Sequence, residues 1–356
     1  MVNAMRNVCV GEAGGRIQNP SSNTQVPDRQ PGSAALTHIN FKDLQTRGFV
    51  HVPGFLSRAE LQEYTDDFKA RGFDPKSFYP YKTASPTANA HASERVQEVL
   101  RLVREQTDLR VNLPQEAWYF ATGKSKGINF PWHQDTESYW QTQNHYDYLN
   151  FYIPVMKERT DKSNLCVVPF DVLEREIPGT FRRLVRSGAH HFVRVRNKLV
   201  AYSDDSGAMH IVRGDLDRIA HTPLLAAGDL LLLRGDVIHR TQDGDTERIA
   251  MSFRVSSSQT IVKRSRLAYG GLSKTRIMAK HPLPYQKMFL AFDAAGRDEM
   301  PLGELTKLGQ AVSVEPADQR DFIKYLLREK RRAGSLGLFA EATILAVARR
   351  MLNWKG

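Results

Sequence analysis

The chain has 356 residues, of which 41% are hydrophobic and 25% charged, so it is long and apolar enough to bury a full core. Its two cysteines, Cys9 and Cys166, are too few for a disulfide framework or a thiolate zinc site, and they predict a reducing, cytoplasmic location. The formal net charge of +11 has two interpretations, attraction of nucleic acid or an anionic substrate and a soluble protein with a basic surface, and the second is favoured. The basic run from Arg182 to Lys198 lacks aromatic residues at base-stacking spacing, so charge alone does not predict nucleic-acid binding.

The N-terminal part of the chain changes character near residue 36. Residues 1–35 are rich in Gly, Asn, Ser and Pro, and we expect them to form a mobile arm. Phe49–Val52 then alternates as a strand does. Ser57 and Glu60 have the spacing of a capping box, which predicts a helix through about Ala70.

A second helix is predicted after Ser93, which can cap it. Apolar residues follow this serine at helical spacing, at Val96, Val99, Leu100 and Val103. We expect both helices to support one sheet.

The middle of the chain contains a series of strand-like stretches. They are Ala117–Ala121, Pro131–Asp135, Tyr148–Pro154, Asn164–Pro169, His191–Val195, Gly228–His239 and Arg248–Arg254. The Gly123–Gly127 loop between the first two is either a mobile lip above a site or a plain turn.

Two longer segments lie outside this strand pattern. Residues 170–222 contain a predicted helix, Asp171–Leu184, and a polar loop, Ser203–Gly207, and by their position they are expected to shape the substrate side. After Val255 the composition becomes helical, with apolar stripes at Phe322–Leu327 and Leu338–Leu352. These stripes pack on their own core or form a dimer interface.

Candidate metal ligands are His133, Asp135 and His239. At positions i and i+2 of a strand, His133 and Asp135 point to the same face. His239 follows a Gly-Asp turn and an apolar run far downstream. Two imidazoles and one carboxylate form the facial triad of non-haem Fe(II) oxygenases, which leaves three coordination positions open. A His-x-Asp pair alone is a weak signal, but this combination predicts a metal site.

The stretch from His133 to Arg254 resembles the phytanoyl-CoA dioxygenase-like family of Fe(II)/2-oxoglutarate oxygenases. Trp132–Tyr139 is most similar to the ectoine hydroxylase branch, and Arg47–Ser57 to the usual opening of the family. The resemblance implies a mainly β fold with α, a double-stranded β-helix (jelly roll, cupin-like) core with flanking N- and C-terminal helices. We therefore expect an oxygenase domain over residues 36–260 and a C-terminal helical extension, 261–356, packed on the core.

The same resemblance implies roles for residues beyond the triad. Arg248 is expected to hold the remote carboxylate of 2-oxoglutarate with help from Thr241, and Arg254 is the runner-up. If Arg248 holds the co-substrate, Arg254 lies about 20 Å along the same strand face, either at a solvent rim or as an anchor for an anionic substrate group. Tyr139 is a substrate contact or a rim aromatic.

These expectations predict a dioxygenase that uses Fe(II), 2-oxoglutarate and O2 to hydroxylate a C–H bond of a small amino-acid-like or acyl molecule, releasing succinate and CO2. Asp135 retains the carboxylate that the related halogenases lack, which favours hydroxylation. The alternatives are a cupin-type metalloenzyme that does not use 2-oxoglutarate and a nucleic-acid-directed oxygenase. We expect a monomer or homodimer and no membrane span, because Asp229 and Glu341 interrupt the most apolar runs.

Overall fold

The computed structural model describes residues 36, 38–72, 81–122, 130–135, 141–195, 197–203, 209–242, 246–270, 274–275, 278–279, 282–314 and 319–334. The expected arm (1–35), the Gly123–Gly127 loop, Tyr139 and the Leu338–Leu352 stripe lie outside these residues, as does most of the Ser203–Gly207 loop. None of the described helices is long and apolar enough to cross a membrane.

The described strands are β1 (Phe49–Val52), β2 (Tyr81–Thr83), β3 (Leu113–Pro114), β4 (Trp118–Thr122), β5 (Tyr148–Lys157), β6 (Leu165–Val168), β7 (His190–Val195), β8 (Lys198–Ser203), β9 (Met209–Val212), β10 (Leu230–Arg234), β11 (Ile238–Thr241), β12 (Arg248–Ser256), β13 (Ile261–Lys263) and β14 (Glu299–Pro301). The described helices are α1 (Asp43–Thr46), α2 (Arg58–Arg71), α3 (Pro86–Gln106), α4 (Phe170–Glu176), α5 (Pro178–Leu184), α6 (Leu216–Ile219), α7 (Arg264–Ala268), α8 (Pro282–Ala295), α9 (Leu302–Ala311) and α10 (Gln319–Arg332).

The larger sheet is antiparallel and has seven strands within the described residues. Its order is β1–β10–β5–β12–β4–β2, and β3 pairs with β12. One face packs against α2 and α3 through a large apolar cluster that includes Phe151, Met251 and Val99. Alternate residues of the same strands, such as Tyr152 and Ala250, face the opposite way into a second cluster. The helices therefore cover one face, and the other face is the inside of the barrel.

The smaller sheet closes the barrel and passes through the segment that contains His133. β6 pairs with β11, and β7 pairs with β8, which pairs with β9. His133 forms bridges to His239 of β11 on one side and to His191 of β7 on the other, which joins the two parts. Two facing antiparallel sheets with helices outside are a double-stranded β-helix, as expected from the sequence.

Helices α2 and α3 each begin directly after a serine that caps the helix N-terminus. Ser57 and Glu60 form the predicted capping box, and α2 ends at Arg71. The predicted start of α3 near Ser93 is wrong, because Ser85 caps the helix, Pro86 occupies its first turn, and alanines continue it. The apolar stripe predicted for this helix is buried as expected.

Two predicted single elements are each divided by a local break. The apolar run Gly228–His239 forms β10 and β11, which belong to different sheets and are separated at Gly235–Val237. The helix predicted over Asp171–Leu184 is two helices, because Pro178 cannot continue the hydrogen bonding of α4 and instead begins α5. The β8–β9 hairpin of the same region was not predicted.

The Gly-Asp turn before β10 has a clear physical basis. Gly228 has φ +87°, a conformation that favours glycine, and a Cβ there would lie 3.2 Å from the Leu56 carbonyl oxygen. Asp229 accepts hydrogen bonds from the backbone N–H groups of Gly54 (2.8 Å) and Ala226 (2.9 Å). The turn thus fixes the start of β10 next to β1.

The residues after β12 have their own apolar cluster. Phe289 and Phe292 of α8, Leu305 of α9, and Phe322 and Leu326 of α10 are buried in it. The stripe predicted for α10 is therefore buried, whereas the small β13–β14 sheet was not predicted. Hydrogen bonds between the side-chain amide of Gln143 and the backbone N–H and carbonyl groups of Lys263 attach this region to the barrel.

Candidate metal centre

His133 and His239 come together through backbone pairing of neighbouring segments. Each donates its N–H to the other's carbonyl oxygen at 2.9 Å, so the side chains lie on the same face. The segment around His133 is extended but forms isolated bridges rather than the regular strand predicted for it. Asp135, two residues further on, donates its N–H to the Gly235 carbonyl at 3.2 Å, which aligns it with the loop before β11.

The three side chains form a compact donor set. One imidazole nitrogen of each histidine and one oxygen of Asp135 all lie within 4.8 Å of one another. Nε2 of His239 is 3.8 Å from Oδ1 of Asp135, and the ring centroids of His133 and His239 are 4.2 Å apart. This is the expected cluster of metal ligands.

Both histidine rings are oriented by carbonyl oxygens. Nδ1 of His133 is 2.7 Å from the Pro131 carbonyl, and Nδ1 of His239 is 3.0 Å from the Val237 carbonyl. Because a carbonyl only accepts, Nδ1 carries the proton in each ring, and the lone pair on Nε2 faces the other ligands. This outer hydrogen bond is the usual means by which proteins fix a metal-binding tautomer.

The protonation states also suit a cation. Burial lowers the pKa of His133 to about 3, and the nearby imidazole of His239 adds to the effect. Burial alone would raise the pKa of Asp135, but Arg254, the two imidazoles and Asn150 together hold it below its usual value. At neutral pH His133 is therefore neutral and Asp135 ionised, as metal ligands must be.

Asp135 is held by a polar network on the inside of β5 and β12. Asn150 donates to Oδ2 of Asp135 at 3.0 Å, which leaves Oδ1 on the side of His239. Ser252 donates to the Asn150 amide oxygen at 2.9 Å, and Arg254 donates to the Ser252 hydroxyl. Sequence reasoning missed Asn150 and Ser252, although polar residues in otherwise apolar strands were the available signal.

Arg254 is part of this network rather than a solvent rim residue. Its side chain is only 11% exposed, and Nη2 lies 3.9 Å from Oδ1 of Asp135. Nε donates to the Tyr148 hydroxyl at 3.0 Å. The rim interpretation is therefore wrong, because the inside face of β12 at this position is enclosed by β5.

Arg248 lies at the opposite end of the same face of β12. It is 4% exposed, and Nη1 donates to the Ser163 carbonyl at 2.6 Å. Its guanidinium carbon is 5.5 Å from the centre of the Tyr152 ring, and Lys157 is its partner in β5. Burial, together with the positive charge of Arg248, lowers the pKa of Lys157 to about 7. This end of the barrel is therefore cationic.

Tyr152 is a third residue that sequence reasoning missed. Its hydroxyl is buried and has no hydrogen-bond partner among the described residues. A buried hydroxyl without a partner lowers the stability of the folded protein by about 1–3 kcal/mol. The presence of such a hydroxyl beside Arg248 points to a ligand that accepts a hydrogen bond from it.

Thr241 lies two residues after His239 on the same face of β11, as expected, and is 4% exposed. Its hydroxyl accepts the Phe130 N–H at 3.0 Å. That bond attaches the segment before His133 to β11, and it leaves the oxygen one further lone pair.

A cavity of about 590 Å³ lies close to the ligands in sequence but faces away from them. Trp132, Arg194, Leu199 and Val212 line it. Trp132 and Val212 belong to the cluster beneath α4–α6, on the opposite face of the smaller sheet from His133. This cavity is not part of the metal centre.

No protein-family model and no curated protein sequence matches the chain. Solved structures similar to it include the non-heme alpha-ketoglutarate-dependent epimerase SnoN from nogalamycin biosynthesis, at 14% identity and TM-score 0.41, over 62% of this chain and 82% of that one. The carbocyclase SnoK from the same biosynthesis has 12% identity and TM-score 0.43, over 62% and 83%. HygX from Streptomyces hygroscopicus, with nickel and 2-oxoglutarate bound, has 15% identity and TM-score 0.40, over 62% and 86%. These similarities are distant.

Proposed function

We propose that this protein is an Fe(II)- and 2-oxoglutarate-dependent dioxygenase. The observation that carries the proposal is the convergence of His133, Asp135 and His239 within 4.8 Å inside a double-stranded β-helix. Two imidazoles and one carboxylate suit Fe(II) and occupy one face of its coordination sphere. The remaining positions would accept the co-substrate and O2.

The barrel interior also fits a dicarboxylate co-substrate. Arg248 supplies a buried guanidinium for the remote carboxylate, and the Tyr152 hydroxyl supplies a donor beside it. Apolar side chains such as Leu165 and Val167 line the inside of the smaller sheet between Thr241 and His239. They would exclude water around the ligand and strengthen its charge-assisted hydrogen bonds.

The reaction we propose is hydroxylation of a C–H bond in a small-molecule substrate. The iron centre would supply O2 activation, with one oxygen atom entering the substrate and the other entering succinate as 2-oxoglutarate loses CO2. Asp135 would remain an anionic ligand held by Asn150. That carboxylate favours hydroxylation over halogenation, which needs its coordination position for a halide.

The similarity to the ectoine hydroxylase branch remains a prediction based on Trp132–Tyr139. Of this stretch the structure describes Trp132–Asp135, and Tyr139, the predicted substrate contact, lies outside the described residues. Arg254, beside Asp135, would act as an anchor for an anionic group of the substrate if such a group reaches the metal.

Titration of 2-oxoglutarate into the metal-loaded protein tests the proposal, with Mn(II) in place of Fe(II) to prevent turnover. Tyr152→Phe should weaken binding about 10- to 100-fold, because a hydrogen bond to a charged group contributes about 1.5–3 kcal/mol. Tyr64→Phe is the matched control, since the Tyr64 hydroxyl is also buried without a partner among the described residues and packs against the helices instead.

Binding of 2-oxoglutarate by wild type, loss in Tyr152→Phe and retention in Tyr64→Phe would support the proposed co-substrate site. A protein that binds Mn(II) but not 2-oxoglutarate would instead be a metalloenzyme of the cupin type that does not use it.

A further inference from the structure

The β7–β8–β9 sheet has an apolar face that is exposed. We call this face the apolar shelf. Its members are Val193, Val195, Val200, Tyr202, Met209 and Ile211. Three of these side chains are strongly exposed: Met209 is 75% exposed, Val195 53% and Val193 49%. Ile211 is 44% exposed.

Strand pairing shows that the shelf is on the same face as the metal ligands. In an antiparallel sheet, directly paired residues share a face. His133 pairs with His239 and with His191, His191 pairs with Tyr202, and Tyr202 pairs with Met209. These residues form one row across the sheet. Val193, Val200 and Ile211 form the next row on that face.

The opposite face of the same three strands is packed in the ordinary way. Phe192, Ala201 and Val212 are buried beneath α4–α6. An antiparallel sheet with one face buried is expected to carry polar residues on the other. Here the free face is apolar instead, and a large exposed apolar patch usually marks a binding surface.

The charge and reach of the shelf define what it would bind. The apolar shelf itself contains no carboxylate, and Lys198, paired with Val195, lies at its far corner. Strands are spaced about 4.8 Å apart, so Met209 lies roughly 15 Å across the sheet from His133. A small zwitterion at the metal would not reach these side chains.

We propose that the apolar shelf seats an elongated hydrocarbon portion of the primary substrate, about 10–15 Å long, while the reacting carbon lies at the metal. The proposal rests on the proposed function for the metal site and narrows its substrate class. It favours an acyl-type substrate over a small amino-acid-like one. Continuity with the row of metal ligands identifies the occupant as substrate rather than a second copy of the chain.

The test uses dodecanoate as the hydrocarbon probe and proline as the small polar probe, with the full chain loaded with Mn(II) or Zn(II) and saturated with 2-oxoglutarate. Mn(II) should broaden the dodecanoate methylene NMR signals relative to Zn(II), with a gradient along the chain. The expected gradient follows from a chain that starts near the metal and extends across three strands. Binding of proline should be unaffected by substitutions in the apolar shelf.

Ile211→Glu should weaken dodecanoate binding at least about tenfold, since a charged side chain in the apolar shelf removes apolar contact from several methylene groups. Ile261→Glu is the matched control, because Ile261 is also a strand isoleucine and is 48% exposed, in β13. Thermal unfolding of both variants checks that neither change acts through folding.

Absence of Mn(II)-dependent broadening, or equal effects of the two glutamates, would overturn the proposal. So would a concentration-dependent dimer that Ile211→Glu abolishes, because the shelf would then serve a second copy. Failure of the proposed function is distinguishable: the Mn(II)-loaded protein would not bind 2-oxoglutarate, whatever dodecanoate does.

Discussion

The inside face of β12 carries two arginines, Arg248 and Arg254, whose surroundings differ. Arg254 donates to Ser252 and lies 3.9 Å from the carboxylate of Asp135, so its charge is balanced within the protein. Arg248 contacts the Ser163 carbonyl and the Tyr152 ring, and its strand partner is another cation, Lys157.

This difference shows that residue type and strand face do not define a role. Both guanidiniums are buried on one face of one strand. The neighbouring anion makes Arg254 a positioning residue for a metal ligand, whereas the cationic, apolar surroundings of Arg248 suit an incoming anion. Changes at each end of β12 should therefore affect different ligands.

The largest expected effect is loss of metal binding. It concerns the Arg254 end of β12, because Arg254 lies beside the metal ligand Asp135. Replacing His133, Asp135 or His239 with alanine should weaken Mn(II) or Fe(II) binding by more than about 100-fold, since outer-shell partners alone contribute 10- to 100-fold. His221→Ala is the matched control, because His221 pairs with Val167 in the same sheet but is outside the ligand cluster. Anaerobic calorimetry measures the affinity. Near-native affinity in any one of the three alanine variants would exclude that residue as a ligand.

The two arginines can be separated directly. Arg248→Ala should raise the KM for 2-oxoglutarate roughly 30- to 4000-fold, because a charge-assisted pair with a buried partner is worth about 2–5 kcal/mol. Arg254→Ala should change this KM much less and should instead weaken metal binding through Asp135. A reversed order would transfer the co-substrate role to Arg254, and equal small effects would contradict both assignments.

The hydrogen bonds that orient Asp135 should have a smaller effect on metal binding, and they test the Arg254 end of β12 more specifically. Asn150→Ala should weaken metal binding about 10- to 100-fold, because Oδ2 of Asp135 would lose its donor and the carboxylate its fixed orientation. Asn112→Ala is the control, since Asn112 is exposed and donates to Ser258, away from the metal ligands. Unchanged metal affinity with unchanged 2-oxoglutarate binding would show that Asn150 supports only the fold.

Sequence was sufficient for features that depend on local pattern. The capping box at Ser57 and the stripe of α3 follow from spacing alone, and the ligand trio follows from residue type and order. The predicted strand at His133 and the continuous run to His239 were wrong because strand ends and sheet membership depend on partners distant in sequence.

The supporting residues could not be predicted for a related reason. Asn150, Tyr152 and Ser252 lie in strands whose pattern identifies them only as inward-facing, and their contacts depend on how β5 is aligned with β12. That alignment shifts between Ile249, which pairs with Met156, and Ala250, which pairs with Pro154, and no local pattern reveals the shift. The apolar shelf was hidden in the same way, because only pairing with His133 connects it to the metal centre.

The smallest expected effect is a pH dependence at the Arg248 end, caused by Lys157. Its pKa in the folded protein is lowered to about 7 by burial and by Arg248. Since this value is below that of the unfolded chain, the unfolded state binds more protons between pH 7 and about 10.5, and the contribution of Lys157 to stability rises with pH across that window.

A bound dicarboxylate should have the opposite pH trend. Its negative charge beside Arg248 would stabilise protonated Lys157, so binding near pH 8 should take up a fraction of a proton, and affinity should fall as pH rises above 7. Calorimetry in buffers of different ionisation enthalpy measures this uptake. Lys157→Arg retains a positive charge that does not titrate in this range, so it should abolish the uptake while keeping the affinity seen at low pH. Uptake that persists in Lys157→Arg would assign the proton to another group, and no uptake in wild type would place the dicarboxylate away from the Arg248 end of β12.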